Sequence, residues 1–293
     1  MKQEIYLENT IIKPGISARE SGARKRGLLS YLREGGFPCA GVKKYSCHEH
    51  LEMNKDKDYT AGSKDKDLKT AADRVELERA RGEVYTFFAG AFSQEPSREC
   101  VDRLLGPAGM SAILDFCDDR EVIEEFRALI SEYAQGKWQF EDFQVDFDGL
   151  FRVPGDRYVH PYESVYRQQE TTGRRPDKSM LMGKEALEVS EIYRKECLAP
   201  RDSEAVFPDE FGVELEFMAH LCNRAAAALD KKESKRAADI SREQREFIRG
   251  HLSRWCFPCL ENIAARAETP LYSIFARMLT GFMREEEIAV SQE

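Results

Sequence analysis

From about residue 73 onward, apolar residues recur at helical spacing. Val75 to Phe92 puts Leu77, Val84, Tyr85, Phe88 and Phe92 on one broad stripe, which predicts a helix. It should stop at Glu95-Pro96-Ser97, where proline removes a donor and Ser97 can cap the next helix. Further helical patterns cover about 97–105, 110–117, 119–135 and 139–151, and an irregular stretch at 153–161 interrupts them. Helices resume near 183–197 and 208–230. In the latter, Pro208 suits a first turn and Asp209 and Glu210 complement the positive helix end, while Phe211, Leu215, Met218, Cys222, Ala225 and Leu229 form the apolar stripe. Ser241-Arg-Glu-Gln244 reads as a capping box opening a later helix, and Thr269-Pro270 opens the last. No alternating run persists, so the pattern predicts an all-α helical bundle over 73–288.

Residues 1–72 have a different texture. They lack sustained periodicity and end in the low-complexity run 54–67, which cannot bury enough apolar surface to offset its ordering entropy. They read as a basic and mostly disordered extension, with a short helix near Gly27–Arg33. This part of the chain up to residue 70 carries 14 Lys+Arg against 10 Asp+Glu. The remainder holds 30 against 43, so a net charge of -9 overall hides an acidic body. Phosphate is repelled by such a body, which argues against nucleic acid as a partner. A cationic partner suits it, as does plain solubility. No apolar run approaches the length of a membrane span, and none implies stable membrane insertion. Arg24-Lys25-Arg26 precedes Gly27-Leu28-Leu29-Ser30-Tyr31-Leu32, a run shorter than a signal-peptide core. A cytoplasmic location is therefore expected.

Sequence signatures of the common enzyme classes are absent: there is no phosphate-binding glycine loop, no G-x-S-x-G and no H-E-x-x-H. Two cysteine arrangements remain. Cys256-Phe-Pro-Cys259 has the spacing of a thiol–disulfide exchange site, with packing cysteines around a proline as the plain alternative. Cys39, Cys47, His48 and His50 have zinc-ligand chemistry but no standard finger spacing. Cys100, Cys117, Cys197 and Cys222 sit in helical, apolar surroundings and read as free buried thiols.

Four stretches in order resemble the TorD/DmsD family of cytoplasmic chaperones for molybdenum-containing redox enzymes. They are Val84-Tyr-Thr-Phe-Phe-Ala-Gly-Ala-Phe92 with Glu95-Pro96; Phe147-Asp-Gly-Leu-Phe-Arg-Val-Pro-Gly155 leading to Pro161-Tyr-Glu-Ser-Val-Tyr166; Phe207-Pro-Asp-Glu-Phe-Gly-Val-Glu-Leu-Glu-Phe-Met218; and His251-Leu-Ser-Arg-Trp-Cys-Phe-Pro258 with Thr269-Pro-Leu-Tyr272. The chain departs from the family at Glu210, where histidine is usual after Pro-Asp. The resemblance implies a helical TorD-like domain that is not an enzyme and needs no cofactor or metal of its own. It implies that the chain binds the twin-arginine signal peptide of an apo molybdoenzyme catalytic subunit, and assists its cofactor insertion and folding before export. Such a leader offers paired arginines and then an apolar stretch. Tyr85, Phe92, Leu150, Phe151, Tyr162 and Tyr166 can supply an apolar groove, and Glu163, Asp209, Glu210 and Glu214 can meet guanidinium groups. Pro161, Ser164 and Pro208 complete the expected peptide-binding set. The stripe aromatics read equally well as core. Two other classes stay open: a redox or zinc protein using Cys256, Cys259 and the amino-terminal Cys/His set, and a helical adaptor subunit without chaperone activity.

Overall fold

The computed structural model describes residues 42–44, 70–173, 183–200 and 207–291. In chain order these form β1 (Val42–Lys44), α1 (Ala71–Ser93), α2 (Arg98–Leu104), α3 (Pro107–Phe116), α4 (Arg120–Ala134) and α5 (Phe140–Phe147). A π-helical turn, Asp148–Arg152, follows, then α6 (Glu163–Thr172), α7 (Lys184–Lys195) and β2 (Leu198–Pro200). The chain continues through α8 (Phe211–Asp230), α9 (Ser234–Gly250), a short 3-10 turn, α10 (Cys256–Arg266) and α11 (Pro270–Ser291). The all-α expectation holds. Its one small exception is an antiparallel pair of three-residue strands, Val42 opposite Pro200 and Lys44 opposite Leu198. This pair places part of the amino-terminal region, read from sequence as mostly disordered, against the helical body.

α8 is the central helix, buried on nearly every side, and α1 lies along it with α9 as its other main neighbour. Gly212 makes the approach of α8 to α1 possible. A Cβ there would stand 1.6 Å from Ser93 Oγ and 3.0 Å from Ala89 O. α10 packs on α11, and α11 also meets α4. The stripe predicted on α1 is buried as expected, except that Leu77 is only partly enclosed. Each large apolar side chain fully buried in this core contributes about 1.5–3 kcal/mol.

A polar junction closes one part of the bundle. Arg81 of α1 grips Glu286 of α11 with Nε–Oε1 at 2.8 Å and Nη2–Oε2 at 2.5 Å. Its Nη1 also donates to Glu78 and to Gln244, at 2.8 and 2.9 Å. Tyr85 donates to Glu286 at 2.8 Å, and the Gln244 amide donates to Glu78 at 2.9 Å. Elsewhere, buried Asp146 accepts from the Thr269 amide and hydroxyl at 2.8 and 2.7 Å, which anchors the start of α11.

Several boundaries differ from the sequence reading. α6 lies in a stretch for which no helix was expected, between the irregular segment and the 183–197 helix. Its only large apolar residues are Val165 and Tyr166, and its signals are Glu163 in the first turn and Gly173, at φ 65°, as the left-handed stop. α8 starts at Phe211 rather than Pro208, because Pro208 and Asp209 form a turn and Glu210 is the N-cap. Ser241 opens no helix. It sits inside α9 with its hydroxyl turned back to Ala237 O at 3.0 Å. Cys197 is disulfide-bonded and stands at φ 55°, so it is not the free thiol expected.

Candidate functional site

The start of α6 and the start of α8 meet. Tyr162 and Glu210 form an isolated antiparallel bridge. The Glu163 amide donates to Asp209 O at 3.0 Å, and the Phe211 amide donates to Pro161 O at 2.8 Å. The Asp209 carboxylate then reaches across to cap α6, accepting from the Ser164 amide at 2.9 Å. Tyr193 of α7 supports the turn from below by donating to Pro208 O at 3.1 Å. Residues 46 to 50 apart in sequence are thus stitched backbone to backbone.

Beneath this bridge lies a second polar junction. Glu163, Asp209 and Glu214 are each 0% exposed. Glu163 bonds His251 Nδ1 at 2.7 Å through one oxygen and accepts from Arg167 at 3.1 Å through the other. Glu214 accepts from the Trp255 indole at 3.1 Å. Burial, and then the neighbouring Glu163 carboxylate, push the Glu214 carboxyl well above the usual range. Asp209 Oδ1, Glu214 Oε1 and Ser164 Oγ are buried without a hydrogen-bond partner among the described residues. His251 and Trp255 entered the sequence reading only within the fourth family-like stretch, with no role assigned to either. Their i, i+4 spacing just past the end of α9 is the signal that was available.

The surface above is aromatic. Tyr162 and Phe207 meet edge to face with centroids 5.3 Å apart, and Tyr158 meets His160 edge to face at 4.7 Å. The Tyr158 and Tyr162 hydroxyls interact, and both rings feel the Glu210 carboxylate. Tyr158, His160, Tyr162, Phe207 and Glu210 are all only partly buried. The Glu210 carboxylate has no hydrogen-bond or ion-pair partner among the described residues. Burial, and then Asp209, push its pKa up to about 7. Tyr158 and His160 were not singled out from sequence, and Phe207 appears there only as the first residue of the third family-like stretch. Tyr158 and His160 belong to the irregular stretch, where no periodicity marks a face.

The expected peptide-binding residues therefore separate into groups. Pro161, Tyr162, Glu163, Ser164, Pro208, Asp209, Glu210 and Glu214 come together at the bridge. Of these, Tyr162 and Glu210 are the two that are not buried. Phe92, Leu150 and Tyr166 are core residues rather than the walls of an open groove. Phe92 packs on Phe211 at 5.6 Å and Tyr166 on Trp255 at 5.6 Å, while Leu150 is fully buried. Phe151, partly buried, joins this layer through Phe92 at 6.0 Å. Tyr85 belongs to the Arg81–Glu286 junction instead. The helical stripes were core because nothing but packing sets their period.

The cysteine pair takes a different form from a redox site. Cys256 and Cys259 do open a helix, α10, but both are free and buried. Burial pushes the Cys259 thiol up to about 12 and the Cys256 thiol well above its usual value, the opposite of an activated thiolate. Among the described residues no group of three or more His, Cys, Asp or Glu could hold a metal ion. The Cys39, Cys47, His48 and His50 set lies outside the described residues. No described helix is long and apolar enough to cross a membrane.

A family model described as the nitrate reductase delta subunit matches residues 117–261, which span the bridge and the junction beneath it. The chaperone protein TorD of Aeromonas salmonicida is 29% identical over 212 residues, covering 69% of this chain and 87% of that protein. The TorD of Vibrio cholerae is 23% identical over 218 residues, covering 72% of this chain and 92% of its own length. The order of motifs, the helical architecture and these matches agree: the chain is similar to the TorD chaperones and, over residues 117–261, to the nitrate reductase delta subunit family.

Proposed function

We propose that the chain receives the twin-arginine leader of an apo molybdenum-containing oxidoreductase at the Tyr162–Glu210 bridge, and keeps that client competent for cofactor insertion before export from the cytoplasm. The observation that carries this reading is Glu210, a partly buried carboxylate without a cation among the described residues, set among Tyr158, Tyr162 and Phe207. A guanidinium is planar, weakly hydrated and able to stack on a ring while donating to a carboxylate. Such a charge-assisted bond is worth about 1.5–3 kcal/mol when shielded from water. The buried carboxyl groups below hold the turn in place without touching the ligand. The enclosed aromatics, Phe92, Phe211 and Trp255, hold the two helix starts in place. The contact set at the surface is then Tyr162 and Glu210 with Tyr158, His160 and Phe207; the other bridge residues shape it.

Isothermal titration of the full chain tests this reading with a synthetic peptide carrying an Arg-Arg pair followed by ten Leu/Ala residues, against its Lys-Lys counterpart. The reading expects micromolar binding, about -8 kcal/mol, that weakens at least ten-fold with the lysine pair. A helical adaptor that recognises a folded subunit, the rival reading, binds neither peptide.

A further inference from the structure

The chain contains a short segment with the chemistry of its own proposed ligand. Arg24-Lys25-Arg26 is followed by Gly27-Leu28-Leu29-Ser30-Tyr31-Leu32, a cationic cluster and then apolar residues, in the order a leader presents them. The charge balance favours their meeting the body. Up to residue 70 the chain is net basic, with 14 Lys+Arg against 10 Asp+Glu, and the remainder is strongly acidic.

The strand pair supplies a tether. Val42 pairs with Pro200, seven residues beyond Tyr193, whose hydroxyl bonds Pro208 O. Pro208 is eight residues from Pro200, so at no more than about 3.6 Å per residue the two lie within about 29 Å of each other. Arg26 is sixteen residues from Val42 in sequence, a reach of up to about 55 Å. The span is closed with length to spare.

We propose that residues 24–32 act as an internal decoy leader, occupying the surface around Glu210 until a client leader displaces them. The inference rests on the leader-binding reading above and adds its regulation. A tether of this length gives an effective concentration of the order of 1 mM. A free-peptide Kd of about 100 µM then leaves the site about nine-tenths filled, and an incoming leader binds about ten-fold more weakly than the open site allows. Weak or imperfect leaders are excluded, and a strong one is admitted. Glu210 offers the decoy cations a carboxylate that no described side chain pairs with.

The test compares the full chain with its Arg24→Gln/Lys25→Gln/Arg26→Gln variant, also full length, by fluorescence titration with the labelled Arg-Arg probe peptide. The variant should bind the probe about ten-fold more tightly, with its melting temperature unchanged. A peptide of residues 20–36 added in trans should compete the probe from the variant, with a Kd of the order of 100 µM, and its scrambled version should not. Equal probe affinities for the two proteins, or no competition by the 20–36 peptide, overturn the decoy while the leader reading stands. No probe binding by either protein overturns the leader reading, and the decoy with it.

Discussion

Two of the buried polar junctions among the described residues, at Arg81 and at the meeting of α6 with α8, are built to different standards. At the Arg81 junction each oxygen of Glu286 and Glu78 has a donor, and a guanidinium stands among them. At the α6–α8 junction, three carboxyl groups crowd into a space where Asp209 Oδ1, Glu214 Oε1 and Ser164 Oγ have no partner among the described residues. A network that is fully satisfied fixes geometry, whereas one left partly unsatisfied carries a free-energy penalty that packing must offset. The comparison separates a structural clasp from an incompletely paired junction that lies beneath a partly open aromatic surface carrying Glu210.

The largest effect should come from breaking the clasp. Arg81→Met leaves Glu286 and Glu78 without their guanidinium, and should cost about 3–5 kcal/mol, read as a fall in the denaturant midpoint. Probe-peptide affinity of the folded fraction should not change. Asp209→Ala removes the side chain that caps α6 through the Ser164 amide, a loss of about 1 kcal/mol, offset in part by relief of an incompletely paired buried charge. Probe affinity should fall with it, because Tyr162 and Glu210 lose the support that aligns them.

Glu214→Gln sharpens the contrast through pH. The folded-state pKa of Glu214 lies above its unfolded value. Its stabilising contribution is therefore present below the unfolded pKa and is lost as pH rises through the folded one. Glutamine imitates the protonated acid, so the variant and the natural protein should have similar stabilities in mild acid. They should diverge with rising pH, the variant becoming the more stable. Urea melts at several pH values give the answer. A variant that loses stability in parallel with the natural protein would show that the pH slope comes from elsewhere.

The sequence carried the helices whose stripe is long. α1, α4 and α8 follow from residues such as Phe88, Phe126 and Met218 recurring at helical period and burying completely. α6 was illegible because Val165 and Tyr166 alone do not define a stripe. Its first turn is stabilised by Asp209, 45 residues away from Ser164. The Ser241 capping box misled because the local motif was overridden by an earlier start at Ser234, outside it. The meeting of 161–166 with 208–214 was reached through the family resemblance rather than through spacing. Burial could not be read in the same way. A run of acidic residues at a helix start looks like a solvated cap, and only the crossing backbone of Pro161 and Glu163 encloses Asp209 and Glu214 while leaving Glu210 at the rim.

The central claim is that a guanidinium meets Glu210. Its arrival favours the charged carboxylate, so binding should release a proton at pH values below about 7. The decisive measurement is the Kd of the Arg-Arg probe from pH 5.5 to 8 for the natural protein and for Glu210→Gln, with thermal melts in parallel. Affinity for the natural protein should rise with pH, by up to about ten-fold per unit, and level off above about 7. Glu210→Gln should bind weakly and without that slope, its melting temperature little altered. Equal affinity and an equal pH slope in the two proteins would contradict it.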